Sequence, residues 1–201
     1  MHISAGKFNI DRLSFSIEGD NESRRVVLKY DYIRKGINNL HLSLDKGCYM
    51  LCKGVYEETF GKDNKKTGKH TTTFIINKGD NNLYEVLLSI FNAVQKYERA
   101  RAKTRVVNFP VRESEDSDMC FIYGRFVEGN DGKMYTKAFD KERNDIEVTN
   151  LHKCMSRPLF SISYPITSLD KVNIRFSVFE MEIDKMLGSN YSLLDDDQDE
   201  P

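Results

Sequence analysis

The chain has little of what several protein classes require. Its 201 residues include four cysteines, Cys48, Cys52, Cys120 and Cys154, too few and too scattered for a disulfide framework in a chain of this size. Apolar runs are short compared with the roughly 20 residues of a membrane-spanning helix. The first residues, MHISAGK, resemble neither a secretory signal nor a transit peptide. We expect a soluble domain with reduced thiols, in the cytoplasm or the nucleus, and no membrane partner.

Motifs that carry catalysis are also missing. No nucleophile elbow surrounds a serine or cysteine, and no glycine-rich phosphate loop joins a strand to a helix. Paired carboxylates such as Glu57-Glu58 lie in polar stretches, which suit solvated surface charges. Zinc is disfavoured because Cys48 and Cys52 would stand about 13 Å apart on a strand. The sequence predicts no catalytic residues, no metal and no cofactor. The enzymatic alternative is a small nuclease that uses these carboxylates.

The charge of the chain is unevenly distributed. With 30 Lys and Arg against 31 Asp and Glu, the formal net charge is −1, which by itself argues against a nucleic-acid partner. Without the acidic residues near the C-terminus, 26 acidic residues remain against 30 basic ones, a formal charge of +4. The sequence therefore predicts a mildly basic domain over residues 1–187 and a flexible acidic tail over 188–201. The acidic tail residues are Asp195, Asp196, Asp197, Asp199 and Glu200.

Strand patterns dominate the chain, and one segment has helical spacing. From Asn82 to about Ala102, apolar residues recur every three or four positions, which predicts an amphipathic helix. The Lys-rich stretch from Phe60 to Thr71 predicts a mobile loop, and residues 128–132 predict the turn of a hairpin. Alternation in the last strand slips at Phe179, which indicates a bulge. About eight strands are expected: 24–33, 40–44, 48–56, 72–77, 119–127, 133–139, 159–166 and 171–183.

Aromatic and basic residues are interleaved in several of these strands. A groove for single-stranded nucleic acid uses this combination, because bases stack on aromatic rings while Lys and Arg hold phosphates without reading sequence. Core packing is the alternative for each ring, and Gly124 in mid-strand marks a bulge or a close approach. The candidate stacking residues are Tyr30, Tyr32, Tyr56, Tyr123, Phe126 and Tyr135, and the candidate phosphate-binding residues are Lys53, Lys65, Lys66, Lys69, Arg125 and Lys137.

The helical segment carries a family resemblance. Its sequence from Asn82 to Arg99, NLYEVLLSIFNAVQKYER, places Leu-Tyr early and Lys-x-Glu-Arg late. In this it resembles the helix of viral single-stranded-DNA-binding proteins with the oligonucleotide/oligosaccharide-binding (OB) fold, of the poxvirus type or the related phage type. Residues 157–187 resemble the final strands of that family, and an acidic terminus follows. The resemblance implies a mainly β, OB-like Greek-key barrel with one accessory helix and no cofactor.

Two functions remain open at this stage. The resemblance implies cooperative, largely sequence-independent binding of single-stranded DNA in replication, recombination or repair, while the residues themselves leave RNA open as the bound strand. The acidic tail would then occupy the groove weakly or dock replication proteins. The alternative is a non-enzymatic β-sandwich module for protein interaction, whose tail binds a basic partner. Assembly into a homo-oligomer through edge strands or the tail is compatible with either function.

Overall fold

The computed structural model describes residues 1–20, 24–33, 35–60, 65–79, 82–102, 105–109, 111–129, 131–165 and 171–187, with the backbone alone at 60, 65, 165 and 171. These residues form one α-helix, α1 (Leu83–Arg101), short 3₁₀ turns at Ala5–Lys7, Ile10–Arg12 and Val148–Asn150, and sixteen strands. The strands are β1 (Ile3–Ser4), β2 (Leu13–Glu18), β3 (Arg25–Tyr32), β4 (Gly36–Asn39), β5 (His41–Ser43), β6 (Met50–Cys52), β7 (Tyr56–Phe60), β8 (Lys65–Asn77), β9 (Val106–Asn108), β10 (Val111–Glu113), β11 (Met119–Phe126), β12 (Lys137–Phe139), β13 (Asp145–Ile146), β14 (Cys154–Pro165), β15 (Lys171–Asn173) and β16 (Arg175–Met186).

Five of the strands close into a barrel. β14 pairs with β6, β6 with β8, β8 with β11 and β11 with β16, which returns to β14. The β11–β16 pair is parallel and the other four pairs are antiparallel. β3 and β5 pair with β14 beyond the barrel, and β2 and β4 flank β3. The architecture is mainly β and OB-like, as the sequence predicted.

Strand alternation fills the barrel with aromatic side chains. On β11, Cys120, Ile122 and Gly124 point inward, while the residues between them point outward. The Phe74 ring meets the Phe160 ring edge-on at 5.3 Å between centroids. A Cβ atom at Gly124 would lie 2.8 Å from Cε2 of Phe74. The glycine therefore leaves room for a core ring, whereas its mid-strand position suggested a bulge or the close approach of another backbone or a base.

The accessory helix α1 is confirmed, within one residue of the predicted bounds. It buries an apolar stripe and one charged residue, Glu98, whose carboxylate is fully buried. The Tyr164 hydroxyl of β14 donates to Glu98 at 2.7 Å, and the Arg105 guanidinium pairs with it at 2.5 Å. Burial and the neighbouring Glu98 carboxylate raise the pKa of Tyr164 well above its usual value. This buried contact ties the end of the helix to the barrel.

The predicted bulge in the last long strand is confirmed. Leu159 pairs with Glu180 but its neighbour Phe160 pairs with Val178, so Phe179 is the extra residue on β16. The Phe179 ring turns outward and stacks on His41 at 5.2 Å between centroids. One extra residue explains why the alternation of apolar residues slips at this position.

Two predicted strand boundaries are wrong in the first half of the chain. The strand expected over 48–56 divides into β6 and β7, because Gly54 between them has a left-handed φ of 96°. The stretch expected as a loop is largely strand, since β8 begins at Lys65 and pairs with β7 from there to Thr71. Residues 61–64 lie outside the described part. Cross-strand pairing along a long hairpin overrides the polar composition of this segment.

The hairpin expected between 119–127 and 133–139 is present at its turn, where the Tyr135 N–H bonds the Val127 carbonyl, but β12 does not extend it. An isolated bridge joins Glu128 to Met134, but β12 pairs in parallel with β16 and antiparallel with β13. β11 is already bonded to β8 along one edge and to β10 and β16 along the other. The turn residues were recognisable, but the partner of each strand is set by barrel closure. No helix in the described ranges has the length and apolar character that crossing a membrane requires.

Candidate nucleic-acid interface

The candidate interface is the outward surface of β7, β8 and β11, together with the residue that follows β6. Tyr123 pairs with Thr73, and the next outward row joins Arg125 to Thr71 and Thr71 to Tyr56. The backbone N–H of Lys53 donates to the Thr73 carbonyl at 2.9 Å, which sets Lys53 beside the first row. We call this surface the outer face, comprising Lys53, Tyr56, Glu58, Thr73, Phe121, Tyr123 and Arg125.

Three rings stand on the outer face. Tyr56 is 41% exposed and Tyr123 is 44% exposed, so both offer an accessible ring surface. The Tyr56 hydroxyl shares a 2.8 Å hydrogen bond with the Thr73 hydroxyl, and the Tyr123 hydroxyl donates to Glu58 at 3.4 Å. The Lys53 ammonium lies 5.4 Å from the centroid of the half-buried Phe121 ring. The polar ends of the tyrosines are thus anchored while their rings remain open to a stacking partner.

A groove of about 700 Å³ runs along the outer face toward the β10–β11 turn. One wall carries Lys53 and the rings of Phe121 and Tyr123. The other wall comes from β10 and the turn after it, because Arg112 pairs with Phe121 in the β10–β11 register. The groove combines open rings with cations, which suits an extended polyanion whose bases can stack. Its lining is Lys53, Thr73, Arg112, Glu113, Ser114, Glu115, Asp116, Phe121 and Tyr123.

The charges along the outer face are of both signs, and several are paired. Arg125 places Nη2 at 2.8 and 2.7 Å from the two carboxylate oxygens of Glu58. Glu113 accepts hydrogen bonds from the Lys78 ammonium at 2.5 Å and from the Tyr84 hydroxyl at 2.7 Å. The bond from Lys78 is the main reason that the pKa of Glu113 is lowered. These contacts engage the carboxylates of Glu58 and Glu113, while Glu115 and Asp116 add further negative charge to the groove lining.

The predicted cations of the β7–β8 hairpin lie beside the outer face. Lys66 is exposed and pairs with Glu57 at 3.0 Å, and Lys69 is half-buried. Lys65 is the first residue of β8, and its side chain lies outside the described part. Lys66 and Lys69 lie toward the hairpin end of β8, so they extend the positive charge along the strand rather than into the groove.

Tyr135 and Lys137 lie beyond the far end of β11. The Tyr135 N–H donates to the Val127 carbonyl at 2.8 Å, and Lys137 begins β12 opposite Glu180. Tyr135 is 54% exposed, with the Lys133 ammonium 5.9 Å from its ring centroid. Neither residue lines the groove, so their part in a ligand site stays a prediction.

Three of the predicted stacking residues lie in the core. Tyr30, Tyr32 and Phe126 are 2%, 6% and 3% exposed, so they have no ring surface available to a base. The Tyr30 and Tyr32 rings pack edge to face at 5.1 Å between centroids. Each of these buried rings stands beside a charged residue that points outward. The sequence therefore shows the same interleaved pattern as it does for rings on the surface. Burial removes these three residues from the proposed set.

Sequence reasoning missed Phe121 and Arg112. The period of two on β11 could have indicated Phe121, because Phe121, Tyr123 and Arg125 share one side of the strand. Arg112 carries no comparable signal, since it reaches the groove through the β10–β11 pairing. The acidic residues at 195–200 lie outside the described residues. The last described residue, Leu187, packs on Leu51 and Ile75 and donates its N–H to the Lys153 carbonyl at 2.8 Å.

Solved structures similar to this chain include single-stranded-DNA-binding proteins of bacteriophages. Gp2.5 of bacteriophage T7 is similar at a TM-score of 0.50 and 6% identity, over 77% of this chain and 96% of that one. The protein of bacteriophage Enc34 is similar in a C-terminally truncated form, at a TM-score of 0.47 and 9% identity, over 89% of this chain and 96% of that one. A structure of the Enc34 protein in complex with single-stranded DNA is also similar, at a TM-score of 0.47 and 11% identity, over 89% of this chain and 98% of that one.

These comparisons concern the fold. The suggested resemblance to viral single-stranded-DNA-binding proteins is confirmed at that level, with phage proteins as the structural neighbours. No family model matches the chain, and no curated sequence does. The groove on the outer face lies along β8 and β11, the second and third strands in the circuit of the barrel counted from β6. OB folds bind oligonucleotides on the equivalent surface.

Proposed function

We propose that this protein binds single-stranded DNA on the outer face, largely without regard to sequence and without catalysis. The observation that carries the proposal is the set of open rings and cations on β7, β11 and the end of β6, around β8, on the surface that OB folds use for oligonucleotides. T7 gp2.5, which shares the fold, is a single-stranded-DNA-binding protein. Coating exposed strands would serve replication, recombination or repair, in the cytoplasm or nucleus of a host cell.

The binding mode follows from the two kinds of side chain. Bases would stack on Tyr56, Phe121 and Tyr123, each stacking contact contributing about 1–3 kcal/mol. Lys53 and Arg112 flank these rings and would neutralise phosphates on either side of the groove. None of these contacts reads a base edge, so every base could be accepted. This is the basis for proposing sequence-independent binding.

We propose further that the acidic tail competes with DNA for the outer face or docks a basic replication protein. Leu187, the last described residue before the tail, packs on Leu51 and Ile75, and Ile75 pairs with Phe121 on β11. Leu187 also lies with Lys53 and Lys153 around a second, smaller concavity. The segment that carries the acidic residues therefore begins at a point beside Lys53 of the outer face. Charge complementarity then favours their return to it.

The test is fluorescence anisotropy with a labelled thirty-nucleotide oligo-dT and with a duplex of the same length, each at two salt concentrations. We expect preferential binding of the single strand, weakening with salt at a log–log slope of about −0.7 per phosphate contacted. A flat salt response would contradict the phosphate contacts. Binding to neither probe would favour the protein-interaction module, and metal-dependent cleavage of the probe would favour a nuclease.

A further inference from the structure

Another concave site, distinct from the groove and from the concavity beside Leu187, lies away from the outer face at the end of β3. It has a volume of about 680 Å³, within the range of sites for small molecules. β1, the two 3₁₀ turns after it, the end of β3, and Ile33 and Lys35 line it, and none of these parts contributes to the outer face. We call it the β3 pocket, lined by Met1, His2, Ile3, Lys7, Asn9, Arg12, Tyr30, Tyr32, Ile33 and Lys35.

The charge of the β3 pocket has one sign. Its lining contains no carboxylate, in contrast to the groove on the outer face. Lys7, Arg12 and Lys35 have no ion-pair partner within the described ranges, although Arg12 donates to the Asp31 carbonyl at 3.5 Å. Burial is the main cause that lowers the pKa of His2, so the pocket's side-chain charge at neutral pH comes from the other three residues. Three uncompensated cations around one concavity favour an anion.

The floor of the β3 pocket is formed by two hydrogen-bonded tyrosines. The Tyr30 hydroxyl accepts a 3.0 Å hydrogen bond from the Asn9 N–H. The Tyr32 hydroxyl accepts from the His41 N–H at 3.0 Å and donates to the Asn39 carbonyl at 3.1 Å. Both tyrosines are therefore fixed in the core and close the bottom of the site. Ile33 is 69% exposed at its rim, so an occupant with an apolar part would cover surface that is now in water.

We propose that the β3 pocket binds a nucleotide unit, with the phosphate held by Lys7, Arg12 and Lys35 and the base or sugar against Ile3 and Ile33. Arg and Lys are the residues that form charge-assisted hydrogen bonds to phosphate. An inorganic anion would use the cations alone and leave the isoleucine wall uncovered. A nucleotide unit has two sources, a free nucleotide or a strand, and the experiment separates them. The site does not depend on the function proposed for the outer face.

The experiment follows the methyl signals of Ile3 and Ile33 by NMR while the full chain is titrated with thymidine monophosphate, thymidine or inorganic phosphate. We expect the monophosphate to shift both signals and to bind more tightly than either fragment. In the double variant Arg12→Glu/Lys35→Glu its affinity should fall about tenfold or more, since two charge-assisted contacts are lost. The matched control Lys46→Glu/Lys185→Glu makes the same charge change at exposed sites outside both concavities and should bind within about twofold of the parent.

A second variant guards against misfolding and against confusion with the outer face. If the double variant does not fold, the single variant Lys35→Gln should still bind thymidine monophosphate measurably more weakly than the parent. The face variant Lys53→Glu/Tyr123→Ala should leave monophosphate binding at the β3 pocket unchanged, even if the chain proves not to bind single strands. If Arg12→Glu/Lys35→Glu also weakens oligo-dT binding, the β3 pocket binds a nucleotide of a strand. If oligo-dT binding is unchanged, the β3 pocket binds a free nucleotide. Unmoved Ile3 and Ile33 signals, or equal affinity in pocket and control variants, would overturn the proposal.

Discussion

The ion pair between Arg125 and Glu58 leads to a prediction that runs against intuition for a binding surface. The two carboxylate oxygens of Glu58 lie 2.8 and 2.7 Å from Nη2 of Arg125, the arginine of the outer face. Glu58 also accepts a hydrogen bond from the Tyr123 hydroxyl. The substitution Glu58→Gln keeps the shape and one acceptor oxygen but removes the negative charge. Because Arg125 is then less tightly held, it becomes available to a phosphate of the bound strand. We expect the variant to bind single-stranded DNA more tightly than the parent.

The size of the effect follows from the exposure of the pair. The side chains of Arg125 and Glu58 are 35% and 28% exposed, so the interaction is partly screened by water. Removing one unit charge about 4 Å from a phosphate in a watery environment changes the binding free energy by about 1 kcal/mol, or about fivefold in affinity. One added phosphate contact should steepen the log–log salt slope by about 0.7. Folding stability should change by less than about 1 kcal/mol, as for other partly exposed pairs.

The assay is anisotropy with oligo-dT across a salt series, for Glu58→Gln and for the control Glu142→Gln on an exposed turn away from the groove. The control makes the same change in net charge and should shift affinity much less. Tighter binding with a steeper slope in the Glu58 variant alone supports a phosphate role for Arg125. Equal affinity in both variants, or weaker binding by Glu58→Gln, would refute the reasoning.

Three other changes test separate parts of the account. Deleting residues 188–201 should tighten oligo-dT binding at low salt, and unchanged affinity would exclude self-competition by the tail. Gly124→Ala should cost about 1–3 kcal/mol in urea unfolding, because its Cβ would lie 2.8 Å from the Phe74 ring. Since the pKa of Tyr164 is raised by burial and by Glu98, its contribution is intact below about pH 10 and declines as pH rises toward the higher folded pKa. Tyr164→Phe should therefore lose about 1–3 kcal/mol at neutral pH and show a shallower loss of unfolding free energy above pH 10.

The sequence was informative wherever a local pattern determined the structure. The helical spacing from Asn82 predicted α1, and the slip at Phe179 predicted the bulge on β16. Strand partners were less accessible, because they depend on closure of the barrel. The segment around Lys137 illustrates this, since its turn is present but its partner is β16 rather than β11. Short edge strands such as β1, β9 and β13 add to the expected eight because pairing with neighbours, rather than their own pattern, defines them.

The candidate site was predictable in kind but only partly in its residues. Lys53, Tyr56 and Tyr123 were expected from the mixture of rings and cations, and the structure brings them to one surface. The same mixture included Tyr30, which is buried. An aromatic residue beside a charged one alternates in the same way whether the ring points inward or outward. The pattern therefore fixes the period of the strand but not which of its sides faces the core.

The central claim is that single-stranded DNA lies on the outer face, and the face variant Lys53→Glu/Tyr123→Ala tests it most directly. It removes one cation and one open ring from the groove, whereas Lys46→Glu repeats the charge change on an exposed turn outside it. Anisotropy with thirty-nucleotide oligo-dT at constant salt should show at least about tenfold weaker binding for the face variant, from the loss of one stacked base and one phosphate contact. The Lys46 control should stay within about twofold of the parent chain. Equal affinities for the face variant, its control and the parent would contradict the account.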